Sequence, residues 1–451
     1  MADSVHLGVK NRRAMLLAAA GTSLFSSVLF LVVYNATNWL ASQRTDVDTW
    51  YFQWELSFPF VPLMIVPYMS IDLFFVAAPF LCCDREELGA LARRVNFAVL
   101  AAGAFFLLMP FRLAFERPHA TGWLGAIFNP FLAVDHPFNL FPSLHITLRT
   151  ILAELYGRHT RGIGRVAVHV WFILIGFSTV LTHQHHLVDV AGGFVLAGFC
   201  FYLFRGPAAR LPVVQNRRVG GYYAAGAVAV LALAAATWPW GAFLLWPGAA
   251  LGVVAAAYFG LGPGIFRKTG GRLPLSTRFV LAPLLAGQYL SLRYYRRQCR
   301  AWDTVAPGVL IGRKLSDAEA AEAVRQGVTA VLDLTAEFSE ATPFLTTHYH
   351  NLPVLDLTAP TLEQLREAAT FITEHCHNGV VYVHCKIGYS RSAAALGAYL
   401  IASGRAGTAD QALSLLRQSR PSIIVRPEAM AALREFSRHH VAVPSERLIS
   451  R

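Results

Sequence analysis

The sequence predicts an α-helical multi-pass membrane bundle followed by a small α/β domain, and three observations predict it. Of the 451 residues, 55% are hydrophobic and only 15% are charged, with a mean hydropathy of +0.44, a balance wrong for a soluble protein. Apolar runs of spanning or near-spanning length repeat through the first 261 residues, with arginine gathered in the short loops between them. Beyond residue 305 the runs shorten to strand length, and one of them, 380–384, leads into a cysteine, a glycine-containing loop and a helix.

The apolar runs lie near 14–38, 58–82, 95–115, 145–157, 166–183, 186–204, 219–238 and 242–261, which predicts eight helices. The run at 145–157 is short and carries Arg149 and Glu154, so it fits a membrane only if both face the bundle interior. Placing Lys10, Arg12 and Arg13 inside puts Arg85/Arg93/Arg94, Arg158/Arg161/Arg165, Arg205/Arg210/Arg217/Arg218 and Arg267/Lys268/Arg272 inside as well. Both termini are then expected in the cytoplasm. This distribution also explains the formal charge of +12 without nucleic acid, a partner class the sequence does not support. The run after Arg13 is long enough to span and has no small-residue cleavage site, so no cleavable signal peptide is expected. A ninth stretch, 279–292, is short and flanked by Arg278, Arg293, Arg296, Arg297 and Arg300, which suits an interfacial helix against anionic headgroups. Six cysteines form neither a disulfide framework nor a CxxC metal pair.

The apolar run Val380–Val383 is followed by His384, Cys385, Lys386, Ile387, Gly388, Tyr389, Ser390, Arg391 and Ser392. In-line attack on a phosphate dianion needs a thiolate and a cage of donors for the non-bridging oxygens. Five residues separate Cys385 from Arg391, and a loop of that length entering a helix turns the N–H groups of Lys386, Ile387, Gly388, Tyr389 and Ser390 inward. The same field lowers the thiol pKa. Arg391 suits a bidentate grip on two oxygens, Ser392 is placed to donate to the departing sulfur, and Gly388 permits the turn. The bland reading is an inert cysteine buried at a strand end. These residues resemble the dual-specificity branch of the protein tyrosine phosphatases, over roughly residues 305–440. Val381–Lys386 and Ile424-Val425-Arg426-Pro427 look most like the mitochondrial phosphatidylglycerophosphate phosphatases, although Tyr389 stands where a basic residue is usual. The resemblance implies a general acid on a loop about thirty residues before the cysteine, which falls on Asp356. Asp333, inside the strand pattern 328–334, is the competitor and suits structural hydrogen bonds better.

In the membrane half, polar residues cluster on the expected outer face: Arg112, Arg117-Pro118, Pro142-Ser143-Leu144-His145, His185 and Asp189. His185 and Asp189, four apart, share a helical face, so Asp189 can orient the ring whose other nitrogen attacks phosphorus, and His145 can protonate the leaving alcohol. His183 and His186 suit plain hydrogen bonding. Over roughly residues 60–205 the chain resembles the type 2 phosphatidic acid phosphatase (PAP2) superfamily. Leu144 replaces the usual Gly, Thr179 the usual Arg and Pro110 the usual Lys, leaving Arg117 and Arg112, with Ser143, as the phosphate-binding candidates. Phe141–His145 and Thr179 look closer to the inositol-phosphorylceramide synthases, which implies headgroup transfer as an alternative to hydrolysis.

The expected organisation is a tail, first transmembrane helix and outer loop over 1–57, a PAP2-like core over 58–205, two further transmembrane helices over 206–275, a basic interfacial linker over 276–304 and a cysteine phosphatase domain over 305–445. Within the last, strands are expected near 309–313, 328–334, 348–354 and 380–384, with helices near 361–378, 391–403 and 408–419. The whole resembles bacterial fusions of the two families, which implies an inner-membrane phosphatase for phospholipid phosphoesters, with the histidine site outward and the cysteine site in the reducing cytoplasm. Neither mechanism calls for a metal or other cofactor. The rival expectation is a membrane-anchored signalling protein phosphatase whose membrane half only binds lipid.

Overall fold

The computed structural model describes residues 2–205 and 211–441, so the limits set at 206 and 445, Arg210 and the side chain of Lys10 lie outside the described residues. The chain divides into two compact units, 1–207 and 208–451.

Among the described residues the first unit is built of helices, with one isolated bridge between Asp48 and Phe111. It comprises α1 (Ala2–Ser42), α2 (Ile65–Ala77), α3 (Arg85–Leu108), α4 (Gly122–Val134), α5 (Leu144–His159), α6 (Gly162–Leu181) and α7 (Leu187–Leu203). Its starts are set by side chains that satisfy orphan N–H groups: Asp84 accepts from Glu87 N at α3, and Ser143 from Ile146 N at α5. The core joins Leu91, Val95, Val99 and Phe106 of α3 to Leu148, Ile151 and Leu152 of α5 and Phe172 and Ile175 of α6. The helix α4 was not expected. Asn129 and Pro130 break its apolar run, yet Asn129 exchanges two hydrogen bonds with the Ala120 backbone and so ties the helix to the preceding loop.

Among the described residues six helical stretches are long and apolar enough to cross a membrane: Arg12–Ser42, Pro62–Leu81, Arg85–Leu108, Gly162–Leu181, Arg217–Ala236 and Trp240–Phe266. The protein is a multi-pass membrane protein. The other two expected spans are α5 and α7, of 16 and 17 residues, and α5 is too polar as well as short. Its Arg149 turns inward, donating to Phe172 O at 2.9 Å and lying over the Phe194 ring, while Glu154 pairs with Arg94 and Arg158.

The second unit begins with two apolar helices, α8 (Arg217–Ala236) and α9 (Leu245–Ala256), then α10 (Leu275–Val280) and α11 (Ala282–Arg296). A five-stranded sheet follows: β1 (Trp302–Ala306), β2 (Val309–Arg313), β3 (Val328–Thr335), β4 (His348–Val354) and β5 (Val380–Cys385), in the order β1-β2-β5-β3-β4. Only β1 is antiparallel to its neighbour. The central strands are buried on both faces, as their near-continuous Val/Leu/Ile runs demand. The helices are α12 (Asp317–Arg325), α13 (Leu362–Cys376), α14 (Arg391–Ala402), α15 (Ala409–Ser419) and α16 (Pro427–Val441). Those expected strands and helices appear within a residue or two. β1, α12 and α16 are additions, although Ser316 and Glu319 form a capping box that announces α12. Every residue of α14 from Arg391 to Ile401 is buried, so the loop before it is clamped between sheet and core.

Candidate active sites

Strand β5 ends at Cys385, opposite Arg313 of β2 in the parallel register, and the chain turns directly into α14. Gly388 makes that turn at φ 75°, and a Cβ there would lie 2.6 Å from Gly312 O. Gly388→Ala is therefore expected to displace the loop and lower turnover at this site by about a hundredfold, measured on an aryl phosphate alongside a melting curve that shows the protein folded. The loop is also braced from outside. Arg420, itself paired with Asp303, donates to Ile387 O, and the Arg426 N–H donates to Ser390 Oγ.

Cys385 is 3% exposed. Burial alone would push its thiol up, but the Arg391 guanidinium, the Ser392 hydroxyl 3.4 Å away and the N–H groups of Ser392 and Tyr389 outweigh it, and the pKa falls below the ordinary value. Arg391 is also buried and makes a two-point pair with Glu337, at 3.1 and 2.8 Å. It donates further to Leu334 O, Val354 O and, at 3.1 Å, to Asp356 Oδ1. Glu337 was missed by the sequence reading. It stands just past the end of β3, beside β5, where sites in parallel sheets collect. Lys386 lies 3.5 Å from Asp356 and donates to Gln288 Oε1 of α11 at 2.7 Å.

Asp356 thus sits at the arginine, its carboxyl 23% exposed. Burial would raise its pKa, but Arg391, Lys386 and the Leu357 N–H hold it below the usual carboxylate range. Asp333, the competitor, is fully buried between Lys268, Thr335 and Tyr349, with His384 3.7 Å away. Ligand atoms of Asp333, Glu340 and His384 lie within 4.8 Å of one another, close enough for a metal ion. However, Lys268 is on Asp333 and Lys314 is 3.2 Å from Glu340, so cations of the chain already balance both carboxylates.

In the first unit, His145 and His185 line one cavity of about 460 Å³ with Tyr68, Asp72, Asp135 and Asn139. His145 Nε2 and His185 Nδ1 are buried without hydrogen-bond partners, although His185 Nδ1 stands 3.5 Å from Asp189 Oδ2. The His145 ring is stacked on Tyr68 at 4.4 Å. Asp189 also accepts from the His186 N–H as the third residue of α7, and the Thr179 carbonyl accepts from the Gln184 and His185 N–H groups, so the backbone on both sides of His185 is fixed. His186 bonds Glu55 and the Ala114 N–H, and His183 bonds the Glu116 and Phe58 carbonyls.

The remaining candidates depart from expectation. Arg117 is paired with Asp135, at 3.0 Å to the carboxylate and 2.6 Å to the carbonyl, so its charge is neutralised by a residue of the cavity wall. Arg112 is exposed and is not among the cavity-lining residues. Ser143 is fully buried, its oxygen taken by the cap of α5. No sequence signal distinguished the ion-paired arginine from a free one, since Asp135 lies 18 residues away and across α4.

Residues 311–439 match the dual specificity phosphatase catalytic domain, and residues 6–203 match the PAP2 superfamily. Mouse phosphatidylglycerophosphatase and protein-tyrosine phosphatase 1 is 36% identical over 93 residues, 20% of this chain and 48% of the relative. Phosphatidylglycerophosphate phosphatase PTPMT2 of Arabidopsis thaliana is 29% identical over 148 residues, 31% of this chain and 64% of its own. The crystal structure of PTPMT1 in complex with PI(5)P aligns over 98% of its own chain and 32% of this one, at 25% identity and a TM-score of 0.30. The chain spans about half to two thirds of the length of these curated relatives. One polypeptide thus carries a region that matches the PAP2 superfamily and a region that matches the dual specificity phosphatase catalytic domain.

Proposed function

We propose that this protein is a bifunctional membrane phosphatase acting on phospholipid phosphoesters. The observation that carries the reading is the buried Cys385 thiol at the N-terminus of α14, with Arg391 and Asp356 beside it, in a unit that also contains two apolar membrane helices. Cys385 attacks the phosphorus of a monoester such as phosphatidylglycerophosphate, Arg391 and the loop N–H groups of Lys386–Ser390 hold the oxygens, and Asp356 protonates the leaving alkoxide. Water then cleaves the phosphocysteine, giving its proton to the Asp356 carboxylate left by the first step, while the Ser392 hydroxyl hydrogen-bonds to the departing thiolate. A phosphate dianion competes with Asp356 for Arg391, which frees the carboxyl and raises its pKa toward the acid role.

At the second site His185, beside Asp189, attacks a lipid phosphoester as His145 protonates the leaving alcohol, and the phosphohistidine is then broken by water or by an acceptor alcohol whose proton returns to His145. The pairing of Arg117 with Asp135 favours headgroup transfer over monoester hydrolysis, because one fewer free cation faces the developing charge. The proposed setting is a bacterial inner membrane, with both termini and the Cys385 site in the cytoplasm and the His185 site outward. Phosphate release is to be measured on a panel of phospholipid monoesters, including phosphatidylglycerophosphate, and on a phosphotyrosine peptide, with wild type, Cys385→Ser and His185→Ala in detergent. Lipid turnover lost with Cys385→Ser alone is expected. Activity on phosphotyrosine alone would sink the lipid reading and leave an anchored signalling phosphatase.

A further inference from the structure

The loop that carries Asp356 is built in an unusual way. It follows β4 and belongs to no helix or strand, and Leu357 adopts φ 61°, a left-handed conformation that leucine rarely takes. Just before that twist the Leu357 N–H donates to Asp356 Oδ1, 3.1 Å away, and so helps fix the carboxylate. The carbonyls of the same two residues are then held from outside the phosphatase fold. Tyr258, 3% exposed, donates its hydroxyl to Asp356 O at 2.7 Å, and Asn216 Nδ2 donates to Leu357 O at 2.9 Å.

Both partners belong to the membrane-helix pair. Asn216 caps α8 through its other side-chain atom, Oδ1, and its own N–H donates to the Tyr258 carbonyl at 3.1 Å, so the start of α8 and the end of the α9 segment are locked together at this point. Tyr258 lies in an irregular turn, 257–261, that is kinked at Gly260, φ 157°, and its ring stacks on Tyr223 of α8 at 5.5 Å. Irregular turns of this kind in otherwise regular helices frequently mark functional positions. A hydroxyl and a carboxamide whose hydrogen bonds converge on two successive carbonyls, one of them on a strained residue, supply what the loop's own backbone does not.

We propose that Tyr258 and Asn216 are positioning residues for the cysteine site: the membrane-helix pair holds the Asp356 loop in the conformation that delivers the proton to the leaving group. This rests on the assignment of Asp356 as general acid. It makes the chemical step dependent on the packing of helices that lie in the bilayer, and it selects for substrates whose leaving group needs a proton, the alkoxide of a lipid alcohol above all.

The test uses the full chain in detergent with two substrates, a short-chain phosphatidylglycerophosphate, whose alkoxide leaves poorly, and 4-methylumbelliferyl phosphate, whose phenolate leaves without protonation. Asp356→Asn is expected to lower kcat on the alkyl ester by about a hundredfold or more and on the aryl ester far less. Tyr258→Phe and Asn216→Ala are each expected to lower kcat on the alkyl ester about tenfold, with KM little changed and the aryl rate within about twofold of wild type. Tyr258→Phe removes one oxygen atom, and an unchanged melting temperature shows that the fold is kept. If Asp356→Asn depresses the alkyl-to-aryl ratio while Tyr258→Phe and Asn216→Ala leave it unmoved or lower both rates alike, the positioning role is overturned and the acid assignment stands. If Asp356→Asn itself leaves the ratio unmoved, the acid assignment fails and the proposal fails with it.

Discussion

Arg391→Met is expected to lower turnover at the Cys385 site by about a thousandfold or more, because the guanidinium, although held by Glu337, supplies donors and positive charge to the transferring phosphoryl group once Asp356 gives up its Nη2. A second effect follows from the structure rather than from the motif. Arg391 and Glu337 are both about 3% exposed in their side chains, so the substitution leaves a buried carboxylate with no counter-charge, at a cost of about 3–5 kcal/mol. Arg391→Met with Glu337→Gln should recover most of that stability and none of the activity. The thiol reports independently on the same charge. Burial raises the Cys385 pKa and Arg391 leads the groups that bring it below its ordinary 9.0. Alkylation by iodoacetamide, which follows the thiolate, should therefore rise at lower pH in wild type than for a free cysteine, and the midpoint should move up in Arg391→Met. An unmoved midpoint would mean that the loop N–H groups, not the arginine, set the thiolate.

The contrast between Arg391 and Glu337 shows what was legible in the sequence. Cys385, Gly388, Arg391 and Ser392 are contiguous, and a strand, a tight loop and a helix position them through local geometry, so their arrangement could be read from spacing. The strands β2, β3 and β5 were legible for a similar reason, each being a short, mainly apolar run, whereas β4 is apolar only at its end, from Leu352. Glu337, Tyr258, Asn216 and Gln288 reach the same site from segments 48 to 169 residues away from Cys385, and nothing in their neighbourhoods marks them. The histidine site divides in the same way. His185 and Asp189 do come within 3.5 Å, but α7 begins only at Leu187, so the extended turn before the helix and not a shared helical face brings them together, whereas Arg117 was open to several partners until α4 brought Asp135 to it. Local patterns specify nucleophiles and loops; tertiary pairing decides which charges remain free.

The same reasoning makes Asp333 a structural residue with a large expected effect. It lies on β3 opposite His384 of β5 and Asn351 of β4 and is wholly buried. It accepts from Lys268, from the Thr335 N–H and hydroxyl and from Tyr349, while Glu340 lies 2.9 Å from His384 and pairs with Lys314. Asp333→Ala leaves the buried Lys268 ammonium without its carboxylate and is expected to destabilise the protein by about 3–5 kcal/mol. The pH dependence has a definite sign. Burial would raise the Asp333 pKa, but Lys268 and His384 bring it well below the ordinary 3.8, so its contribution is present above that value and is lost as pH falls toward the folded pKa. Burial would lower the His384 pKa, but Glu340 and Asp333 raise it above the ordinary 6.5, so its contribution is full below 6.5 and is lost as pH rises through the folded value. Wild type should therefore melt highest between those two ordinary values, from about pH 4 to about 6.5 as far as this cluster governs the melt. In Asp333→Ala the decline above neutrality should begin at lower pH, because one of the two carboxylates that hold the His384 proton is gone. Melting temperatures of the detergent-solubilised protein across that range decide it: a variant that melts with wild type at every pH would show that Lys268 and His384 find other partners, and that the buried cluster contributes geometry at the root of the Cys385 loop without contributing stability.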